Sequence, residues 1–179
     1  LKTLVDLSLF DIEKQASQLG LLLRIQVRRP LNIWVLRLVV AKYIDLDKIQ
    51  ILGEMKAWAY AGEGGLQLDT MTVSSQAPVG VGNLIWAASM CWALEETPCR
   101  RARLLAIRDD DNQHTLLVRY FRQRGFQKVK NVGSSPIDLP LRLIWGGAGS
   151  LMIANCSDVL ERSLRLWKVS ISKNLNLSC

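Results

Sequence analysis

Histidine occurs once, at His114, and the four cysteines, Cys91, Cys99, Cys156 and Cys179, form neither a CxxC pair nor the dense pattern of a secreted disulfide scaffold. A zinc or other soft-metal centre would lack its ligands, so no metal is expected. Sparse, unpaired thiols suit a reducing compartment, the cytoplasm or an organelle stroma. Long apolar runs are also missing. Arg24, Arg28, Arg37, Lys42 and Arg103 interrupt each candidate before the roughly 18 residues that a membrane-spanning helix needs, and a soluble chain without a span is expected. With 49% of its 179 residues hydrophobic and no internal repeat, the chain can bury one core, which excludes a disordered tail or a polyelectrolyte arm.

Positive charge is in excess, by +7, and between residues 100 and 130 nine cations face Asp109, Asp110 and Asp111 alone, which places six of the seven net charges there. Such an excess serves nucleic acid, an anionic surface or a phosphorylated ligand equally well. No zinc finger, helix-turn-helix or aromatic RNA-binding strand is present, so nucleic acid ranks last.

Residues 4–19 place Leu4, Val5, Phe10, Ile12, Ala16 and Leu19 at mostly helical spacing before Gly20, which predicts an opening helix. Four apolar runs follow at 21–27, 33–40, 49–60 and 66–73, separated by polar or glycine-rich joins, and read as consecutive antiparallel strands. Residues 83–96 form a helix with almost no polar face, so something covers it on both sides, either the sheet and the C-terminal helix or a protein partner. A strand at 102–107, a helix at 113–124, strands at 126–132, 141–145 and 151–154, and a helix at 157–167 complete the pattern. Residues 171–179 have little to bury and read as a tail. The order predicts an α/β or α+β domain with a mixed, mostly antiparallel sheet flanked by helices.

The informative stretch is the strand ending at Val73, followed by Ala77, Pro78, Val79, Gly80, Val81, Gly82 and a helix opening at Asn83. Glycines let backbone approach a ligand closely, and the unpaired amides of a helix's first turn can hold a pyrophosphate. Downstream, residues 104–107 lead through a polar loop to a helix ending Tyr120, Phe121, Arg122, Gln123, Arg124, Gly125, Phe126. Together, residues 66–132 resemble the GNAT superfamily of acyl-coenzyme A N-acyltransferases. The resemblance implies a single GNAT-like domain over residues 1–170, with acetyl-coenzyme A held by Val73, Gly80, Val81, Gly82 and Asn83. It also implies contributions from His114, where the family often opens this helix with a polar residue, and from Phe121. The family's leading Arg or Gln falls on Ala77, and the tyrosine that commonly protonates the departing thiolate falls on Phe121, with Tyr120 one residue early.

Acyl transfer to an amine needs a base, a donor for the thioester oxygen and a proton for sulfur. Asp69 is the first candidate base, with Glu54 and Glu63 behind it; an amide near Thr72 or Val73 is the candidate oxyanion donor, and Tyr120 the candidate acid. Each also has an ordinary structural reading: Asp69 as a solvated strand residue, His114 as a helix-start surface residue, Tyr120 as a packing ring. Cys91 and Cys156 lack an adjacent histidine, which argues against a thiol nucleophile. The expected activity is acetyl transfer from acetyl-coenzyme A to an amine on a small molecule or a protein. The alternative is a GNAT-like scaffold with impaired catalysis that binds a protein partner or a second copy of itself, for which the six tryptophans would supply anchors.

Overall fold

In a computed structural model, residues 6–176 are described. Helix α1 (Leu9–Gln18) begins at a capping box in which the Ser8 hydroxyl accepts from the Asp11 amide and the Asp11 carboxylate accepts from the Ser8 amide. Leu4 and Val5, expected in this helix, lie outside the described residues. Four strands follow, β1 (Leu22–Arg28), β2 (Trp34–Asp45), β3 (Lys48–Ala59) and β4 (Leu66–Val73). Their alternation sorts the side chains: Leu36, Leu38 and Val40 are buried on one face, while Val35 and Arg37 are exposed on the other.

The chain continues through α2 (Val81–Glu96), β5 (Arg101–Ile107), α3 (Asp111–Gln123), β6 (Gln127–Val132), α4 (Leu139–Trp145), β7 (Gly149–Asn155) and α5 (Cys156–Asn176). The seven strands form one sheet in the order β1-β2-β3-β4-β5-β7-β6, antiparallel throughout except for the β4–β5 pair. The architecture is therefore the mixed, mostly antiparallel sheet with flanking helices expected from the sequence. Helix α2 lies at its centre and is buried from Leu84 to Ala93, with sheet, α1 and α5 against it. Its lack of a polar face is accounted for by packing within the chain.

Two elements differ from expectation. Residues 141–145 are helical and belong to α4, because Pro140 fits a first helical turn and Gly146 ends the segment in the left-handed region at φ 76°. A five-residue apolar run fits either period, and these flanks decide. The C-terminal helix runs on to Asn176, with Trp167 and Ser170 buried and Ile171 packed against the core, so residues 171–176 are helix rather than tail.

The join between β6 and α4 is held by Asp138, whose carboxylate accepts from the Gly133 amide at 3.0 Å and from Lys130 Nζ at 3.1 Å. The Gly133 N–H and then the Lys130 ammonium lower its pKa below the ordinary carboxyl value. A lowered folded-state pKa means that this tie is fully present at neutral pH and is lost as acid protonates Asp138. Asp138→Ala, which leaves no side-chain acceptor, should speed hydrogen exchange at the Gly133 amide at pH 7, and unchanged exchange there would show that the carboxylate holds nothing.

Candidate functional site

Strand β4 carries an irregularity at its middle. Leu68 faces Ala57 and Thr70 faces Lys56, which leaves Asp69 as the extra residue of a β-bulge. On its other edge β4 is in register with β5 only at Leu66↔Ala102 and Gln67↔Arg103. Beyond that point the two parallel strands part, and among the described residues no ladder satisfies the β5-facing edge of residues 68–73. Crevices at the carboxyl ends of parallel strands are where open α/β sheets take ligands.

At that end of β4 the chain turns through residues 74–80. The turn is tied by Ser74 N to Leu52 O at 2.8 Å and by Ala77 N to Ser74 O at 3.0 Å. Gly80 then caps α2 at φ +103° with no side-chain cap. A Cβ on Gly80 would lie 2.9 Å from Ser170 Cβ and 3.3 Å from Trp167 Cδ1, so conformation and α5 together require glycine. The Gly82 and Asn83 amides belong to the helix's first turn and have no intrahelical partner to use. Gly82 also lies beside Val73, whose Cγ2 would be 3.7 Å from an added Cβ. Val73, Gly80, Gly82 and Asn83 thus gather at one point, while the Val81 side chain turns into the core.

Of the cations between residues 100 and 130, which the sequence offers to a phosphorylated ligand only as a group, the structure sets Arg124 apart. It is only 8% exposed, yet no ion pair joins it to a carboxylate among the described residues. Its Nη1 donates to Asn83 Oδ1 at 3.0 Å, its guanidinium lies 4.4 Å over the Tyr120 ring and 5.5 Å from the centre of Trp86, and its Nε is buried without a partner. Burying a cation without an anion is costly, and this one points at an uncapped helix start.

Tyr120 and Phe121 both reach Trp86. The Trp86 indole N–H donates to the Tyr120 hydroxyl at 2.9 Å, which leaves the phenolic proton available, and Phe121 packs edge-on between Trp86 and Phe126. Tyr120→Phe, which keeps the ring and leaves the buried Trp86 N–H unpaired, should cost about 1–3 kcal/mol, measured by denaturant unfolding. No loss would mean that the tyrosine is held by packing alone.

His114 is buried rather than at the surface. Its Nδ1 lies 3.2 Å from Ile107 O and its Nε2 3.2 Å from Ser150 Oγ, which in turn meets Asn131. These contacts tie the start of α3 to β5, β7 and β6. The start of α3 is also capped by Asp110, whose carboxylate accepts from the Asn112 and Gln113 amides. Burial pushes the Cys91 and Cys156 thiols up to about 12, which makes both poor nucleophiles.

The candidate carboxylates separate by their partners. Glu54 pairs with Arg37 at 2.7 Å and Lys56 at 3.9 Å, and Glu63 with Arg101 at 3.5 Å. Asp69 is exposed, makes no ion pair among the described residues, and lines a cleft of about 560 Å³ on the open face of β1–β4. Among the described residues no helix is long and apolar enough to cross a membrane, and no group of three or more His, Cys, Asp or Glu is placed to hold a metal.

No family model and no curated protein matches this chain. Among solved structures it is similar to an uncharacterized protein from Bacillus halodurans, with a TM-score of 0.48 and 16% identity over 78% of this chain and 67% of that one.

Proposed function

We propose that this chain is a GNAT-type N-acyltransferase that moves an acetyl group from acetyl-coenzyme A to an amine. The observation that carries the reading is the buried Arg124, paired with no carboxylate among the described residues and aimed at the first turn of α2. A phosphate group there would receive the Gly82 and Asn83 amides, the helix dipole and a guanidinium that otherwise lacks an anion. The acyl arm then runs into the gap where β4 and β5 part, whose free strand-edge groups suit an extended, amide-bearing chain.

In this reading the amine approaches from the open face, where Asp69 lines the cleft. Its nitrogen lone pair attacks the thioester carbonyl carbon, a C–N bond forms, and the nitrogen proton passes to Asp69 directly or through water. The C–S bond breaks, and sulfur takes a proton for which Tyr120, not Phe121, has a hydroxyl to give. An amide near Thr72 or Val73 on the unpaired edge of β4 holds the developing oxyanion. The test is thiol release from acetyl-coenzyme A across a panel of primary amines. Amine-dependent release supports transfer, whereas binding without release for any amine favours the second reading.

That second reading is a non-catalytic binding module, and one feature favours it. The β2–β3 hairpin exposes Tyr43, Ile44, Leu46, Ile49 and Ile51, more contiguous apolar surface than a strand tip needs, and a partner chain or second copy would cover it. Sedimentation of wild type against Leu46→Asp distinguishes them, since self-association through this tip would be lost in the variant.

A further inference from the structure

The strand register places charged groups on the open face in two rows. Arg28, Val35 and Trp58 stand side by side across β1, β2 and β3, and Arg37 and Lys56 stand in the next row, beside the Asp69 bulge on β4. All six line the same cleft of about 560 Å³. Its walls are therefore an apolar middle with a carboxylate at the β4 end and cations from Lys56 across to Arg28. Glu54 occupies Arg37 at 2.7 Å and approaches Lys56 only at 3.9 Å, while Arg28 makes no ion pair among the described residues. Neighbouring strands lie about 4.8 Å apart, so the positive groups stand roughly 5 to 14 Å from the bulge strand.

Resting on the acyl-transfer reading, we infer that the acceptor is a small amine that also carries a carboxylate, the two joined by a flat apolar body. The amine meets Asp69, the body lies against Val35 and Trp58, and the carboxylate meets Lys56 and Arg28. A plain hydrophobic amine would leave Arg28 unmatched and Lys56 with only Glu54 at 3.9 Å, and a polyamine would be repelled by them.

The experiment measures binding to the protein alone, without coenzyme A, by calorimetry or ligand-observed NMR. The probes are 4-(aminomethyl)benzoate, 4-methylbenzylamine, which lacks the carboxylate, and 4-methylbenzoate, which lacks the amine. The expected result is at least tenfold tighter binding of the first than of either other. Arg28→Met and Lys56→Met should each reduce that preference at least threefold while leaving acetyl-coenzyme A affinity unchanged. Equal binding of 4-methylbenzylamine, or a preference untouched by both substitutions, overturns the inference. Acetyl-coenzyme A is titrated separately, so failure to bind it would sink the transfer reading while the probe preference still reports on the cleft.

Discussion

Asp69→Asn is expected to lower kcat about a hundredfold at pH 7, within the range typical of a lost general base, with the KM for acetyl-coenzyme A unchanged. The substitution is nearly isosteric, and Asp69 is exposed and makes no ion pair among the described residues that folding would miss. Melting should therefore be unaltered, which separates lost chemistry from lost structure. Steady-state thiol release is the measurement. A turnover within twofold of wild type would remove Asp69 from the reaction and leave the bulge as a feature of strand geometry alone.

Arg124→Met should weaken binding without a loss of stability. Without a ligand, Met fills similar space, removes a buried cation whose Nε has no partner, and frees an Asn83 carbonyl that is half-exposed and can turn to water. The lost ring stacking over Tyr120 and Trp86 offsets part of that gain, by about 1–2 kcal/mol. Net stability should therefore be unchanged or slightly raised. Coenzyme A affinity should fall at least tenfold, about 1.4 kcal/mol, because a charge-assisted contact to phosphate is lost. Denaturant unfolding paired with calorimetry reads both quantities. A clear loss of stability with affinity unchanged would make Arg124 a packing residue.

Strands β1–β4 were legible because one face is buried and the other is not, so Leu36, Leu38 and Val40 alternate with Val35 and Arg37. The glycine turn was legible because Val73, Gly80, Gly82 and Asn83 are neighbours along the chain. Arg124 was legible only as one of a basic run, since it reaches Asn83 from 41 residues away and no local period announces that contact. His114 misleads for a similar reason. It opens an exposed helix turn, but its ring is drawn inward by Ile107 and Ser150. The Asp69 bulge depends on the pairing of β3 with β4, which composition does not encode. Residues 141–145 carry no period long enough to separate strand from helix, and only Pro140 and Gly146 tip the balance.

The central claim is that phosphate is held where α2 begins. Titration of the protein with acetyl-coenzyme A at moderate salt, beside S-acetylpantetheine, which has the same thioester arm and no phosphate, tests it most directly. The account predicts micromolar binding of acetyl-coenzyme A that weakens with salt, and binding of the pantetheine at least a hundredfold weaker. Equal affinities, or no binding of either by a folded sample, would contradict it.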